Sequence, residues 1–294
     1  MYKLLDGKLV SNHLIENIKS EIDRYKLEGY NKPSIAILLV GDNPASESYV
    51  KSKLKSCEKA GINAELFRYD TSISNHDLIQ EVKKFNKSSF DGFIVQLPLP
   101  EHIDEKSILN EISAYKDIDG FHPLNFGKMA LGLKSMRPAT AYGILKLFEY
   151  YNIETCGKHV VVIGRSNIVG KPISIMIGND FNIGRATVTT CDINTPKSLL
   201  IEQTKKADII IIAVGKVGLL TSEMVKEDVI VVDVGINRLE NGKLVGDCDF
   251  ENIKEKASYI TPVPGGVGPM TVAGLLLNSV QAWKMKNFIK DENN

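Results

Sequence analysis

Short apolar runs alternate with longer segments in which apolar residues recur at helical spacing. The first run, Ser34 to Val40, predicts a buried strand, and the helix that follows has Pro44 in its first turn and Gly61 at its end. The next predicted elements are a strand at 64–69, a helix at 74–86 and a strand at 92–96. Strand-helix-strand units at this spacing favour a parallel sheet that is covered on both faces.

A second series of the same kind follows an interval rich in glycine and proline, at 121–137. Pro138 opens a helix that we expect to extend to about Tyr151, and four strands follow, at 160–163, 186–190, 209–214 and 230–234. The sequence predicts an α/β fold of two parallel-sheet domains with a cleft between them, the second domain being a Rossmann-type dinucleotide-binding domain. The predicted domains are 1–138 and 139–269, with a C-terminal helix, 270–294, that packs back on the first domain.

Composition narrows the possible classes of protein. The 294 residues are 43% hydrophobic and 24% charged, as in globular proteins. Because 36 Lys and Arg residues balance 36 Asp and Glu residues, we predict no nucleic-acid partner. The four cysteines form no CxxC pair, so neither a metal site nor a disulfide framework is expected. We see no signal peptide and no apolar run of membrane-spanning length, and we expect a cytoplasmic protein without a membrane partner.

The strand at 160–163 leads directly into a glycine-containing turn and a helix start, Gly164 to Pro172. Backbone N–H groups in such a turn can bind a phosphate at the positive end of the helix. The spacing is not GxGxxG, so a purely structural turn is an open alternative. Arg165 could bind an adenosine 2′-phosphate, whereas Asp192 could accept from a ribose 2′-hydroxyl or simply cap a loop. The two residues therefore point to different cofactors, NADP and NAD.

Six motifs follow one another along nearly the whole chain. They are Val40 to Ser46 with Tyr49, Val50 and Lys53; Val95 to Pro100; Lys116 to Gly120; Gly164 to Ser166 with Val169 to Pro172; Asp233 to Asn237; and Pro262 to Thr271. Through these motifs the chain resembles the bifunctional methylenetetrahydrofolate dehydrogenase/methenyltetrahydrofolate cyclohydrolase family. Each motif alone is weak evidence, but six in order at compatible distances make a specific match.

The resemblance implies an enzyme that oxidises 5,10-methylenetetrahydrofolate to the 5,10-methenyl form with NADP and hydrolyses that product to 10-formyltetrahydrofolate. It implies that Lys53 is the catalytic lysine and that Gln96 assists it. It also implies that Tyr49 stacks on the aminobenzoyl ring of the folate and that Asp119 holds the pterin. Further candidates for binding the folate substrate are Leu97, Pro98, Pro264, Gly265, Gly266 and Thr271. Candidates for binding the dinucleotide are Gly164, Arg165, Ser166, Asp192, Ile193 and Ile236. The family also implies a homodimer that associates through the dinucleotide domain.

The residues themselves are compatible with these roles but do not establish them. Tyr49 and Lys53 are four positions apart on the predicted helix and share one face. A lysine acts as a base only when part of it is neutral, a state that burial favours, and a carboxylate such as Asp119 can accept both the N–H and the amine of a pterin. Equally, Lys53 could be one of several solvated lysines, Gln96 a strand terminator and Asp119 part of an ordinary turn.

One departure from the family pattern leaves the cofactor open. Cys191 to Asn194 stands where the family often has a His-Ser pair, so a hydroxyl contact to the cofactor is lost or moved to Thr195. One alternative is therefore an NAD-dependent dehydrogenase with weak cyclohydrolase activity. A second is a non-catalytic dinucleotide-sensing protein on the same fold, which would need neither Lys53 nor Asp119. No formate-activating ligase activity is expected, because no GxxxxGK[ST] phosphate loop occurs.

Overall fold

The computed structural model describes residues 2–179 and 184–288. Within these ranges the chain divides into two compact units. The six-stranded unit consists of described residues in 2–12, 130–132 and 140–271, and the three-stranded unit of those in 13–129, 133–139 and 272–288. Each unit has its own parallel sheet, so the predicted α/β fold class with two parallel sheets is confirmed. Residues 2–12 lie in the six-stranded unit, although the predicted folate-binding domain, 1–138, includes them.

Helices and strands alternate along most of the described chain. The helices are α1 (Gly7–Leu27), α2 (Pro44–Ala60), α3 (Asn75–Lys87), α4 (Glu105–Glu111), α5 (Pro123–Ala130), α6 (Ala139–Tyr150), α7 (Gly170–Gly178), α8 (Lys197–Lys206), α9 (Phe250–Ile253) and α10 (Val267–Phe288), with a 3₁₀ helix at Ser222–Met224. The strands are β1 (Lys3–Leu4), β2 (Ser34–Val40), β3 (Asn63–Tyr69), β4 (Gly92–Val95), β5 (His159–Ile163), β6 (Thr187–Cys191), β7 (Ile209–Ile212), β8 (Val229–Asp233), β9 (Asn237–Arg238), β10 (Leu244–Val245) and β11 (Ala257–Ile260). All of the strands proposed from the sequence are present, with ends that differ by one or two residues.

The three-stranded sheet has the order β3-β2-β4, and β2 pairs in parallel with both neighbours. Successive side chains of β2 enter two different buried clusters, which is why its sequence is a continuous apolar run. One cluster joins residues of β2, α2 and the C-terminal helix α10, among them Ile35, Ile37, Val50, Cys57, Leu275 and Leu276. The other joins β2 to α3 and β4, among them Ala36, Leu38, Leu78, Val82 and Phe93. Helix α10 therefore belongs to the core of the three-stranded unit.

The six-stranded sheet has the order β1-β11-β8-β7-β5-β6, and every neighbouring pair in it is parallel. The strands β5 to β8 are those expected of the Rossmann-type domain; β5, β7 and β8 are internal and β6 lies at one edge. Strands β1 and β11 extend the sheet beyond the prediction, since runs of two and four residues are too short to show a strand period. The carboxyl ends of β5, β7 and β8 consequently lie side by side at one edge of the sheet.

The predicted helix boundaries are confirmed where capping residues mark them. Helix α2 begins at Pro44, and the side chain of Asn43 accepts hydrogen bonds from the N–H groups of its first turn. It ends at Gly61, whose φ of 79° is left-handed. The interval 121–137 is less irregular than its glycines and prolines indicate, because α5 starts at Pro123, where a helix tolerates proline. In the described ranges no helix is long and apolar enough to cross a membrane.

Candidate active site

Lys53 has a different environment from the other lysines of α2. Only 7% of its surface is exposed, whereas Lys51, Lys55 and Lys59 are exposed. Lys53 shares the inner face of the helix with the fully buried Cys57, one turn further along. This position distinguishes Lys53 from its neighbours without any reference to a family motif.

Gln96 directly follows β4 and bonds to Lys53. Nζ of Lys53 donates a hydrogen bond to Oε1 of Gln96 over 3.0 Å, and Nε2 of Gln96 donates to the carbonyl of Leu97 over 2.6 Å. The backbone N–H of Gln96 donates to Leu38, so the residue is also tied to β2. Because both ends of the amide have partners, its orientation is defined, and it fixes the amine of Lys53 in place. The following peptide bond, Leu97–Pro98, is cis.

The carboxylate of Asp119 lies close enough to Lys53 for the two charges to interact. Burial raises the pKa of Asp119, and Lys53 partly opposes this shift while the neighbouring Asp117 adds to it. Among residues 2–179 and 184–288, no group donates a hydrogen bond to this carboxylate. A desolvated carboxylate with free acceptor capacity is suited to a ligand that brings its own N–H donors.

Asp117 has a structural role in holding the turn that carries Asp119. Its buried carboxylate accepts four hydrogen bonds of 2.8–3.1 Å, from the backbone N–H groups of Gly120, Phe121 and His122 and from the side chain of Asn125. Burial raises the pKa of Asp117, although these four bonds act in the opposite direction. The two aspartates of this motif therefore differ in kind, since one is saturated with donors and the other has none.

Tyr49 lies one turn before Lys53 on α2. Its ring is partly accessible, with 38% of the residue exposed, and burial of the remainder raises the pKa of its hydroxyl. Ser46, a further turn back on the same side, is 2% exposed, and within the described residues its Oγ has no hydrogen-bond partner. Ser46 is a further candidate that no sequence signal separates from a structural residue, because a serine in the first turn of a helix is an ordinary capping residue.

The glycine turn after β5 packs against the segment that follows β7. Gly164 has φ of 119°, and a Cβ there would lie 2.3 Å from the carbonyl oxygen of Ala213, so only glycine fits. Oγ of Ser166 accepts hydrogen bonds from the N–H groups of Val169 and Gly170, at 3.1 and 3.4 Å. Two N–H groups at the start of α7 are thus already bonded, so part of the predicted phosphate-binding capacity is used within the protein.

Arg165 and Asp192 line one pocket and pair with each other. Nε of Arg165 is 3.3 Å from Oδ2 of Asp192, and its guanidinium also donates to the carbonyl of Thr190. Asp192 caps its own loop as well, since Oδ1 accepts from the N–H of Asn194 over 2.9 Å. The pocket has a volume of about 540 Å³ and lies at the ends of β5 and β6. Its lining comprises Arg165, Thr189, Thr190, Cys191, Asp192, Asn194, Thr195, Pro196, Leu199 and Gln203.

The site residues predicted from the sequence are divided between the two units. The three-stranded unit contains Tyr49, Lys53, Gln96, Leu97, Pro98 and Asp119. The six-stranded unit contains Gly164, Arg165, Ser166, Asp192, Ile193, Ile236, Pro264, Gly265, Gly266 and Thr271. Ile193 and Ile236 are apolar but exposed, and the hydroxyl of Thr271 lies 3.1 Å from that of Thr140. In the part of the chain that the structure describes, no group of three or more His, Cys, Asp or Glu side chains is arranged to hold a metal ion.

Comparison with known families identifies the chain. The model of the tetrahydrofolate dehydrogenase/cyclohydrolase catalytic domain matches residues 5–119, and the model of the NAD(P)-binding domain of the same family matches residues 138–287. The chain belongs to the tetrahydrofolate dehydrogenase/cyclohydrolase family. The predicted family and the predicted enzyme class, a folate dehydrogenase combined with a cyclohydrolase, are thereby confirmed.

Relatives of this family resemble the chain over nearly its whole length. Bifunctional protein FolD 1 of Geobacter metallireducens is 56% identical over 283 residues, which cover 96% of this chain and 98% of that protein. The crystal structure of the bifunctional enzyme FolD, methylenetetrahydrofolate dehydrogenase/cyclohydrolase, from Campylobacter jejuni is 49% identical, with a TM-score of 0.92 over 97% of this chain and 100% of that one. The methylenetetrahydrofolate dehydrogenase-cyclohydrolase of Trypanosoma brucei, solved with NADP cofactor and an inhibitor, is 31% identical, with a TM-score of 0.92 over 98% and 99% of the two chains.

Proposed function

We propose that this chain oxidises 5,10-methylenetetrahydrofolate to 5,10-methenyltetrahydrofolate with NADP and then hydrolyses the product to 10-formyltetrahydrofolate. The observation that carries the proposal is the buried Lys53, bonded to Gln96 and interacting with the free carboxylate of Asp119. In this proposal the folate-binding catalytic domain is formed by residues 1–138, except for the described residues of 2–12 and 130–132, which lie in the six-stranded unit. Helix α10 packs on this domain, and residues 139–269 bind the dinucleotide.

Lys53 serves the water step. The methenyl carbon is cationic, so the oxygen of a water molecule forms a bond to it once a base takes a proton from that water. Lys53 accepts this proton in the proposed step, and Gln96 holds its amine in a defined position over 3.0 Å. The bond between this carbon and N5 then breaks, as the proton held by Lys53 passes to N5 and the hydroxyl proton of the adduct is released to solvent. The formyl group is left on N10. A bound nicotinamide dinucleotide supplies the hydride acceptor for the preceding oxidation.

The folate is held by groups of complementary shape and charge. Asp119 accepts the pterin N–H and the adjacent amine, and these donors satisfy a carboxylate that has none within the described protein. Tyr49 offers a partly exposed ring for the aminobenzoyl group. Additional folate contacts are assigned to Leu97, Pro98, Pro264, Gly265, Gly266 and Thr271.

NADP rather than NAD is proposed because Arg165 lines the pocket at the ends of β5 and β6. Its ion pair with Asp192 is half-exposed, and such pairs contribute only about 0.2–1 kcal/mol. Charged hydrogen bonds between a guanidinium and a phosphate are worth about 1.5–3 kcal/mol, so a 2′-phosphate can replace Asp192 as the partner of Arg165. Gly164, Ser166, Ile193 and Ile236 complete the proposed dinucleotide site.

The alternative, an NAD-dependent dehydrogenase with weak cyclohydrolase activity, is favoured by one observation. Asp192 lines the same pocket, and its charge would repel a 2′-phosphate while accepting from a ribose 2′-hydroxyl. Formation of the methenyl chromophore from methylenetetrahydrofolate should therefore be compared with NADP and NAD. We expect a higher kcat/KM with NADP, a selective loss of NADP activity in Arg165→Gln and a gain in Asp192→Asn. A higher kcat/KM with NAD would favour the alternative, and no methenyl product with either cofactor would favour a sensor.

Two further properties belong to the proposal. A homodimer that associates through the dinucleotide domain is supported by the position of β6 at the edge of the six-stranded sheet, where β5 is its one strand partner among the described residues. Light scattering should then give twice the chain mass of 32.5 kDa. A cytoplasmic location is supported by four cysteines that form no disulfide, since reducing compartments keep thiols free.

A further inference from the structure

Two buried carboxylates lie at the carboxyl edge of the six-stranded sheet. Asp233 is the last residue of β8 and is 3% exposed, and Asp247 follows β10 and is fully buried. Neither was singled out from the sequence as a site residue. Both bond to backbone groups of the loops that leave the central strands, and we refer to the two residues together as the carboxylate clamp.

Asp247 connects the loops that follow two neighbouring strands. Its Oδ2 accepts hydrogen bonds from the N–H groups of Val214 and Gly215, just after β7, over 2.8 and 3.0 Å. Its Oδ1 accepts from Nδ2 of Asn237, after β8, over 2.9 Å. A single buried side chain therefore fixes the positions of both loops relative to each other.

Asp233 holds Asp247 in place. Oδ1 of Asp233 accepts from the N–H groups of Asp247 and Gly235, over 2.9 and 3.0 Å, and Oδ2 accepts from the N–H of Cys248 over 2.8 Å. The packing around the clamp is tight, because a Cβ on Gly235 would lie 2.3 Å from Oδ1 of Asp247. Every carboxylate oxygen of the clamp thus has at least one donor, and the loop after β8 has no room to shift towards it.

The loops held by the clamp lie where open parallel sheets bind their ligands, outside the carboxyl ends of the strands. The loop after β7 also forms the wall of the glycine turn, since the carbonyl of Ala213 packs against Gly164. Ile236 stands between Gly235 and Asn237, both bonded to the clamp, and yet 45% of this apolar residue is exposed. An apolar side chain that is fixed in an exposed position at this edge is suited to contact a bound ligand.

We infer that Asp247 is a positioning residue for dinucleotide binding. Through its bonds to Val214, Gly215 and Asn237 it sets the geometry of the two loops that present Ile236 and the wall of the glycine turn to the dinucleotide. The inference rests on the proposed function, in that this edge of the sheet binds NADP. A clamp that served only to stabilise the fold would affect unfolding but not the affinity of the folded protein for NADP.

Asp247→Asn tests the inference with little change of shape. An amide has one acceptor oxygen, which cannot serve both Asn237 and the two backbone N–H groups, so at least one loop loses its partner. We expect calorimetry to show NADP binding weakened by about tenfold or more, the change that follows from losing one charged hydrogen bond. The KM for NADP should rise in parallel. Hydrolysis of supplied methenyltetrahydrofolate needs no dinucleotide and should be unchanged.

Asp249→Asn is the matched control, because Asp249 is two residues away and, within the described residues, its side chain bonds only to the side chain of Asn252. If Asp247→Asn does not fold, Asn237→Ala gives the answer, since it removes only the donor to Oδ1 and should weaken NADP binding in the same direction. Unchanged NADP affinity in the folded variant, or an equal loss in Asp249→Asn, would overturn the inference. Wild-type protein that binds NADP but forms no methenyl product would contradict the proposed function alone.

Discussion

Substitution of Lys53 separates its two possible contributions, hydrogen bonding and proton transfer. Lys53→Met removes the amine while keeping an unbranched side chain of similar length in a position that is 7% exposed. Gln96 Oε1 loses the donor at 3.0 Å, and an unpaired buried acceptor costs about 1–3 kcal/mol. Burial of an amine is itself unfavourable, and its removal offsets part of this cost. We therefore expect the protein to remain folded, with a Tm lowered by only a few degrees.

The effect on hydrolysis should be much larger than the effect on stability. A positioned general base contributes about 10²–10⁴-fold to a rate, so Lys53→Met should lower the hydrolysis of supplied methenyltetrahydrofolate by a factor in this range. Lys53→Arg retains a cationic donor for Gln96 but cannot accept a proton, because a guanidinium is not deprotonated in proteins. It should therefore lose the same step. The decay of methenyl absorbance measures both variants directly.

Lys55→Met is the internal control, since Lys55 lies on the exposed side of the same helix. Its hydrolysis rate should equal that of the wild type. The assignment of Lys53 as the base would be refuted by unchanged hydrolysis in folded Lys53→Met, or by full activity in Lys53→Arg. The second result would leave Lys53 a role in electrostatics and positioning only.

Two further predictions concern titratable groups. Burial raises the pKa of Asp119, so its stabilising contribution is present at low pH and is lost as the pH rises through the raised pKa. Asp119→Asn should therefore melt at a higher temperature than the wild type at about pH 8, and this difference in Tm should shrink towards about pH 4. Folate binding should weaken in the same variant. Equal changes of Tm with pH in the two proteins would contradict the prediction. Cys156 is exposed, whereas burial raises the pKa of the other three thiols, that of Cys57 to about 12. One thiol, that of Cys156, should thus react quickly with an aromatic disulfide reagent in the native protein, and Cys156→Ser should abolish this fast reaction. Fast reaction of further thiols would contradict the burial of the other three cysteines.

Local sequence patterns were sufficient for most of the fold. The continuous apolar runs of β2 and β7 indicate strands buried on both faces, and Pro44 and Gly61 bracket α2 because each suits one end of a helix. The short strands β1 and β11 could not be predicted in this way. Their four or fewer residues show no period. β11 is a strand because it pairs with β8, and β1 is a strand because it pairs with β11.

The candidate site shows a different division between sequence and structure. The motifs indicated the family and named Lys53, but helical spacing alone did not separate it from Lys51, Lys55 and Lys59. Burial does so, because exposure depends on what packs against the helix from strands distant in the sequence. Asp117 and Asp119 are likewise similar in sequence, and only the hydrogen bonds around them distinguish the turn-holding carboxylate from the free one.

By itself the sequence determined the order of the longer helices and strands, the family and the candidate site residues, because periodicity, capping and motif spacing are local properties. The tertiary structure decided which of these groups meet. Gln96 bonds to Lys53 across 43 positions, and Asp247 bonds to Val214 across 33. Asp192 forms an ion pair with Arg165, whereas the sequence presents the two residues only as separate indications of different cofactors. Such contacts arise where parallel strands bring their carboxyl ends together, and no local pattern contains that information.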